Sequence, residues 1–182
     1  GRGTQLHSLS PTEREDVLHW LHDVSDRIAI KTTEAPQYRR VALQRKQPDY
    51  AYSGGDLYQQ LTAQTHKLLG EVPVKPRRPR PPMAVNSGSG FAFIDHIGDV
   101  YPSGFLPLHC GNVTDTSFAD IYEHSPVFQN LRDPDHWEGK CSVCEFHTVC
   151  GGSRSTAYAM TGNYRASDPT CSYVPPAWKK SS

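Results

Sequence analysis

The sequence predicts an α+β fold in two parts, an amino-terminal helical segment and a smaller loop-rich unit built from a β-hairpin and short helices. Three observations predict it. Capped stretches with apolar residues at helical spacing run from Ser10 to Gly70, prolines alternate with basic residues from Pro73 to Pro82, and a hairpin pattern after Phe91 leads into four cysteines crowded into the last quarter of the chain. Fifteen prolines, fourteen glycines and 36% hydrophobic residues in 182 indicate many loops, so something besides core burial is expected to hold part of the chain.

The elements follow in order. Ser10-Pro11-Thr12-Glu13 is a capping box, with proline at the first helical position. Val17, Leu18, Leu21 and Val24 share one face behind it, which predicts a helix from Pro11 to Ser25 packed on a sheet. Ile28-Ala29-Ile30-Lys31 reads as a short strand, and Tyr38 to Arg45 as a second helix. A third helix runs through Leu57, Leu61, Leu68 and Leu69 and ends at Gly70. Lys75, Arg77, Arg78 and Arg80 among prolines suit an extended linker and the domain boundary. Beyond it, Phe91–Asp95 and Asp99–Pro102 flank His96-Ile97-Gly98 as a hairpin. Ser117 caps a short helix to Glu123, Ser125-Pro126 starts another that buries Phe128 and Leu131, and Ser153 to Met160 forms a last helix closed by Gly162.

Lysine plus arginine equal aspartate plus glutamate at 19 each, so no net field selects nucleic acid or an anionic membrane as partner. No run of eighteen apolar residues occurs, and the first residues lack the order of a signal peptide, so the chain reads as soluble and cytoplasmic.

An odd count of five cysteines argues against a disulfide framework. Cys141 and Cys144 form a C-x-x-C, Cys150 follows after five residues and Cys171 after twenty more. Thiolates at such spacing point to a metal or iron–sulfur site, and the spacing alone does not choose between tetrahedral zinc and a cubane cluster. The start of the final helix beside Cys150 is expected to lower that thiol's pKa. Cys110 matches no ligand position and reads as a free, partly buried thiol. His19 and His22 read as partly exposed polar residues rather than ligands.

The segments Phe91–Phe105, Gly111–Val113, Ser125–Phe128, Cys141–Phe146, Cys150–Arg154 and Asp168–Cys171, in that order, resemble the SPASM domain at the carboxyl end of radical S-adenosylmethionine enzymes, near the peptide maturases and haem-biosynthesis members. The resemblance covers about residues 85 to 175. Gly1 to Arg45 resembles the end of the radical barrel, with Gly1-Arg2-Gly3 matching a loop after a late strand. It implies a barrel remnant over 1–72, a linker over 73–84, an auxiliary cluster domain over 85–175 and a tail over 176–182. It also implies that Cys141, Cys144, Cys150 and Cys171 bind one auxiliary 4Fe-4S cluster. Where the family places cysteines for a first auxiliary cluster, this chain has Ser103 after Gly98, and Ser153 and Arg154 after Cys150, so that cluster is expected to be missing.

The family's S-adenosylmethionine motif, C-x3-C-x2-C, does not occur in these 182 residues. The resemblance therefore implies a carboxyl-terminal portion of a full-length enzyme, with a peptide or tetrapyrrole substrate and possible completion of the barrel by a separate chain. It places Thr33, Glu34 and Tyr38 near the barrel mouth, although Glu34 reads equally as a helix cap. Glu145, His147 and Arg154 are candidates to tune the cluster through hydrogen bonds, and Tyr101, Phe105 and Tyr158 to shield it. A reading from another class is a non-catalytic zinc module whose four-cysteine site folds the loops and presents a binding surface.

Overall fold

The computed structural model describes residues 8–70 and 85–179, and shows an α+β architecture. The proline–arginine stretch and Gly1–Gly3 lie outside the described residues. Helices α1 (Pro11–Val24), α2 (Gln37–Gln44) and α3 (Asp56–Leu69) come first. Strands β1 (Phe93–Ile94), β2 (Asp99–Tyr101) and β3 (Gly111–Asn112) follow, and then α4 (Phe118–His124), α5 (Pro126–Arg132) and α6 (Arg154–Thr161). No described helix is long and apolar enough to cross a membrane.

The local signals of α1 form as expected. Ser10 Oγ accepts from the Glu13 amide at 3.2 Å, and the Ser10 amide donates to Glu13 Oε2 at 2.8 Å. The helix packs on α2 and α3 rather than on a sheet. Ile28–Lys31 is not a strand: the Ile28 amide donates back to the Val24 carbonyl at 3.0 Å, continuing the turn off α1, and no described strand lies beside it to complete a ladder.

Contacts of α1 are largely polar. Buried Asp16 accepts from the Tyr52 hydroxyl at 2.5 Å and the Gly55 amide at 2.8 Å, while Tyr58 donates to Asp23 at 2.6 Å. His19, expected to be partly exposed, is fully buried and stacks on Tyr52 with centroids 3.6 Å apart. Trp20 Nε1 donates to Thr65 on α3 at 2.9 Å. Only Leu18, Val24 and Val41 are buried apolar side chains on α1 and α2, and α3 buries none of its residues.

The second part is organised by an antiparallel sheet in the order β1-β2-β3. Phe93 pairs with Tyr101 and Ile94 with Val100, and Val100 then faces Gly111 on β3. The hairpin turns at Gly98, whose φ of 90° requires glycine, while Asp95 Oδ1 accepts from the Ile97 and Asp99 amides at 3.0 Å each. Val100, Ile121 and Phe128 make the core, with Ala92, Cys110 and Tyr122 against it. β3 is the element that the sequence reading lacks; two residues carry no periodicity to detect. Ser117 caps α4 by accepting from the Asp120 amide at 3.1 Å, and α6 closes at Gly162 in the left-handed conformation, φ 74°.

Glu15 of α1 and Arg40 of α2 form a bidentate pair at 2.6 and 2.8 Å, with the Arg40 side chain 1% exposed. Burial alone would raise the Glu15 pKa, but hydrogen bonds from His19 and Arg40 and the charge of Arg40 bring it down to about 2 from 4.5. The folded pKa therefore lies below the unfolded one. The pair's contribution is complete above about pH 4.5 and is lost as pH falls toward 2. Glu15→Gln should cost about 3 kcal/mol at neutral pH, by leaving a buried guanidinium uncompensated. It should also flatten the acid limb of stability against pH, measured by chemical denaturation.

Candidate metal centre

The four cysteines expected to act together line one small, partly open cavity of about 20 Å³. Cys141 closes a 3₁₀ turn, Gly139–Cys141, and its amide donates to Ser167 Oγ at 3.1 Å. Cys144 follows in the next turn, where its carbonyl accepts from the His147 amide at 2.9 Å and pairs with His147 Nδ1 at 2.8 Å. Cys150 ends that turn with its amide on the Phe146 carbonyl at 2.8 Å. Cys171 arrives through a turn in which its amide donates to the Asp168 carbonyl at 3.2 Å, and Lys140 Nζ donates to its carbonyl.

Two glycines make the cavity wall. Gly151 and Gly152 both hold φ at 65°, a pair of left-handed residues that lets backbone run where side chains would intrude. A Cβ on Gly151 would lie 2.8 Å from the Trp137 ring. On Gly152 it would lie 3.2 Å from Cys141 Sγ and 2.6 Å from Arg154 Nη2. Asn86 pins the pair by donating to the Cys150 and Gly152 carbonyls at 3.1 and 2.8 Å. Gly152→Ala should therefore lower stability by about 2 kcal/mol or more, read as a fall in melting temperature, because strain and a blocked cavity act together.

Fully buried Asp168 joins the cavity to the amino-terminal helices. One oxygen accepts from the Ser153 amide at 2.8 Å and from Gln37 Nε2 of α2. The other accepts from the Thr170 amide and hydroxyl at 2.9 and 2.7 Å.

Cys144, Cys150 and Cys171 are displaced from the charged state by their surroundings. Burial pushes Cys150 up to about 12, outweighing the Gly152 amide 3.4 Å from its sulfur and the charge of Arg40. Burial likewise raises Cys144 to about 11, and raises Cys171 against the charges of Arg40 and Lys140. The expected lowering of Cys150 by the helix start is thus overturned; desolvation is the larger effect.

The residues around the thiols test the fit of an anionic cluster. Arg40 and Arg154 are buried beside the cysteine loops, and each keeps an Nε with no partner among the described residues; Arg154 Nη2 has none either. Four thiol donors, a side-chain-free wall and uncommitted cationic N–H groups suit a cluster with negative charge. No three Cys, His, Asp or Glu side chains among the described residues are grouped closely enough to hold a single ion.

Other candidates distribute differently. His147 lines the cavity, but Glu145 is exposed and accepts from the Tyr173 hydroxyl. Tyr101, Phe105 and Tyr158 do not line it, and Phe105 is 64% exposed; Tyr173 and Pro175 supply the wall instead. Arg40, Lys140 and Tyr173 escaped the sequence reading; Lys140, adjacent to Cys141, and Tyr173, two residues after Cys171, carried a proximity signal, and Arg40 carried none. Cys110 is half-buried against the sheet core and donates to the Leu108 carbonyl at 3.3 Å, away from the other four. Thr33 is exposed and Tyr38 half-buried. Glu34 lies between Ser103 and Ser153, whose hydroxyls donate to its two oxygens at 3.3 and 3.0 Å.

Residues 86–145 match the SPASM family, an iron–sulfur cluster-binding domain. Residues 86–145 thus carry a SPASM domain, and the relatives of the chain are radical S-adenosylmethionine/SPASM members. It is 34% identical over 177 residues to the AdoMet-dependent heme synthase of Methanosarcina barkeri, covering 96% of this chain and 46% of the relative. The AdoMet-dependent heme synthase of Oleidesulfovibrio alaskensis is 36% identical over 179 residues, covering 96% and 42%. The PqqA peptide cyclase of Gluconobacter oxydans is 36% identical over 109 residues, covering 54% and 28%. The chain thus spans less than half the length of the curated relatives it matches.

Proposed function

We propose that this chain is the carboxyl-terminal, cluster-holding part of a radical S-adenosylmethionine/SPASM enzyme, in which Cys141, Cys144, Cys150 and Cys171 bind one auxiliary 4Fe-4S cluster. The observation that carries the reading is the lining of one cavity by all four thiols, beside a side-chain-free backbone wall. When bound, the cluster supplies one-electron chemistry or a fixed support for substrate. Zinc would draw four sulfurs to about 2.3 Å from one point; among the described residues no three such side chains are grouped around a single ion position, which favours a larger group bridging the cysteine loops. Ser103 and Ser153 commit their hydroxyls to Glu34, which supports a single auxiliary cluster. On this reading the S-adenosylmethionine motif lies outside these 182 residues, in the same polypeptide or in a separate chain. The order barrel end, linker, cluster domain, tail then assigns residues 1–72, 73–84, 85–175 and 176–182.

The substrate class this reading favours is a tetrapyrrole over a peptide, because the relatives aligned along 96% of the chain are named heme synthases whereas the peptide cyclases align over about half. An open groove of about 220 Å³ adjoins the cysteine cavity through His147, Cys150 and Gly151, and presents Arg39, Arg132 and Trp137. A macrocycle with carboxylate arms offers a flat apolar face to the indole and anions to the guanidiniums.

Anaerobic purification followed by iron, sulfide and zinc analysis tests the cluster. The expected result is about four irons and four sulfides per chain, with broad absorption near roughly 400 nm that Cys141→Ser abolishes. Stoichiometric zinc in a colourless protein that resists reconstitution would replace this reading with the zinc module. For the substrate class, a carboxylated porphyrin should quench tryptophan fluorescence, with affinity about tenfold weaker in Arg132→Gln, a difference of roughly 1.4 kcal/mol; equal affinities in the two proteins would remove the groove from the proposal.

A further inference from the structure

The two buried guanidiniums near the cysteines are neutralised differently. Arg40 has its own carboxylate, Glu15, and a further bond to Gln44 Oε1 at 2.7 Å. Arg154, at the first position of α6, is 0% exposed, and no carboxylate lies within ion-pair distance of it among the described residues. Its Nη1 donates to the carbonyls of Tyr164 and Ala166 at 3.2 and 2.8 Å, and its Cζ lies 5.0 Å from the Trp137 ring centre. Nε and Nη2 have no partner among the described residues. Carbonyls and an indole face disperse a positive charge without cancelling it, and the neighbouring Asp168 carboxylate gives both oxygens to other donors and forms no ion pair with it, so the buried cation keeps N–H groups for a further anion.

The place of the uncommitted Nη2 is marked by Gly152. One point, the position a Cβ would take there, lies 2.6 Å from Arg154 Nη2 and 3.2 Å from Cys141 Sγ. The guanidinium, the first cysteine sulfur and the Asp168 side chain, whose Cβ is 3.1 Å from the same point, therefore border the small space that glycine leaves, with Arg154 behind the residues that line the cysteine cavity. We propose that Arg154 is the counter-charge of the four-cysteine site, its Nε–H and Nη2–H groups directed to the anionic cluster and its charge setting the cluster's reduction potential. This rests on the cluster reading above. A fixed positive charge stabilises the more negative, reduced state, so its removal makes reduction harder.

The test is a potentiometric titration of the anaerobically reconstituted protein, followed by electron paramagnetic resonance, after iron and sulfide have been counted in each sample. Arg154→Gln should load iron as the parent does and shift the midpoint to a more negative potential. Arg154→Lys, which keeps the charge, should stay close to the parent. Arg165→Gln, which removes an exposed cation paired with Glu138, should leave the midpoint unchanged. Loaded Arg154→Gln with the parent midpoint, or Arg154→Lys shifted as far as Arg154→Gln, overturns the proposal while the cluster stands. Absence of iron from the parent protein instead overturns the cluster reading and this proposal with it. If Arg154→Gln does not fold, pulsed resonance on the reduced parent protein labelled with ¹⁵N-arginine decides: a nitrogen coupling lost in Arg154→Lys is expected, and no coupling overturns the assignment.

Discussion

The carboxylate of Asp168 is the interaction on which the arrangement of the site depends. It is fully buried, and it accepts from the Ser153 amide, the Gln37 side chain, and both the amide and hydroxyl of Thr170. Those donors come from the start of α6, from α2 and from the approach to Cys171. A buried carboxylate is tolerated only when its oxygens are occupied in this way, so these segments have one mutual placement in which all the bonds close. The Cys150 loop, the return to Cys171 and the amino-terminal helices are brought into register by one charged group.

Around that anchor, the protein has little apolar material to work with. The sheet core is Val100, Ile121 and Phe128, and the helices α1 and α2 bury only three apolar side chains. Much of the remaining order comes from polar groups that are each satisfied by specific partners, as at Asp16, Asp168 and the Glu15–Arg40 pair. Thiols held neutral by burial add nothing to cohesion in that form. A metal group that replaces their protons converts the cysteine loops from four separate thiol ends into one cross-linked node, which is how a loop-rich unit of this size gains stability without a larger core.

Features encoded by neighbouring residues were legible in the sequence. Ser10 with Glu13, Ser117 with Asp120, and Ser153 followed by Gly162 each mark a helix end within a few positions, and the structure places those ends there. The four cysteines were legible because their spacing and flanking words are local. What escaped depends on distant pairing. Ile28–Lys31 has the residues of a strand but no described neighbour to form a ladder. Arg40 reaches the cysteine cavity from a helix about a hundred positions earlier in the chain, and no periodicity announces that meeting. The burial of His19 follows from aromatic residues on a later loop, so its own helix face gave no sign of it.

Glu34 shows how separable these levels of organisation are. It is the single described non-glycine residue with positive φ, at 55°, a conformation that disfavours a side chain by about 1–2 kcal/mol. Its two bonds to Ser103 and Ser153 bridge segments 69 and 119 positions away. The backbone there is already shaped for glycine, so a change to glycine relieves local strain while cutting both bridges. The protein therefore contains a point at which a single substitution removes two of the bonds between its halves while the Gln37–Asp168 and Arg39–Val149 links still hold them, a natural joint open to single-step variation.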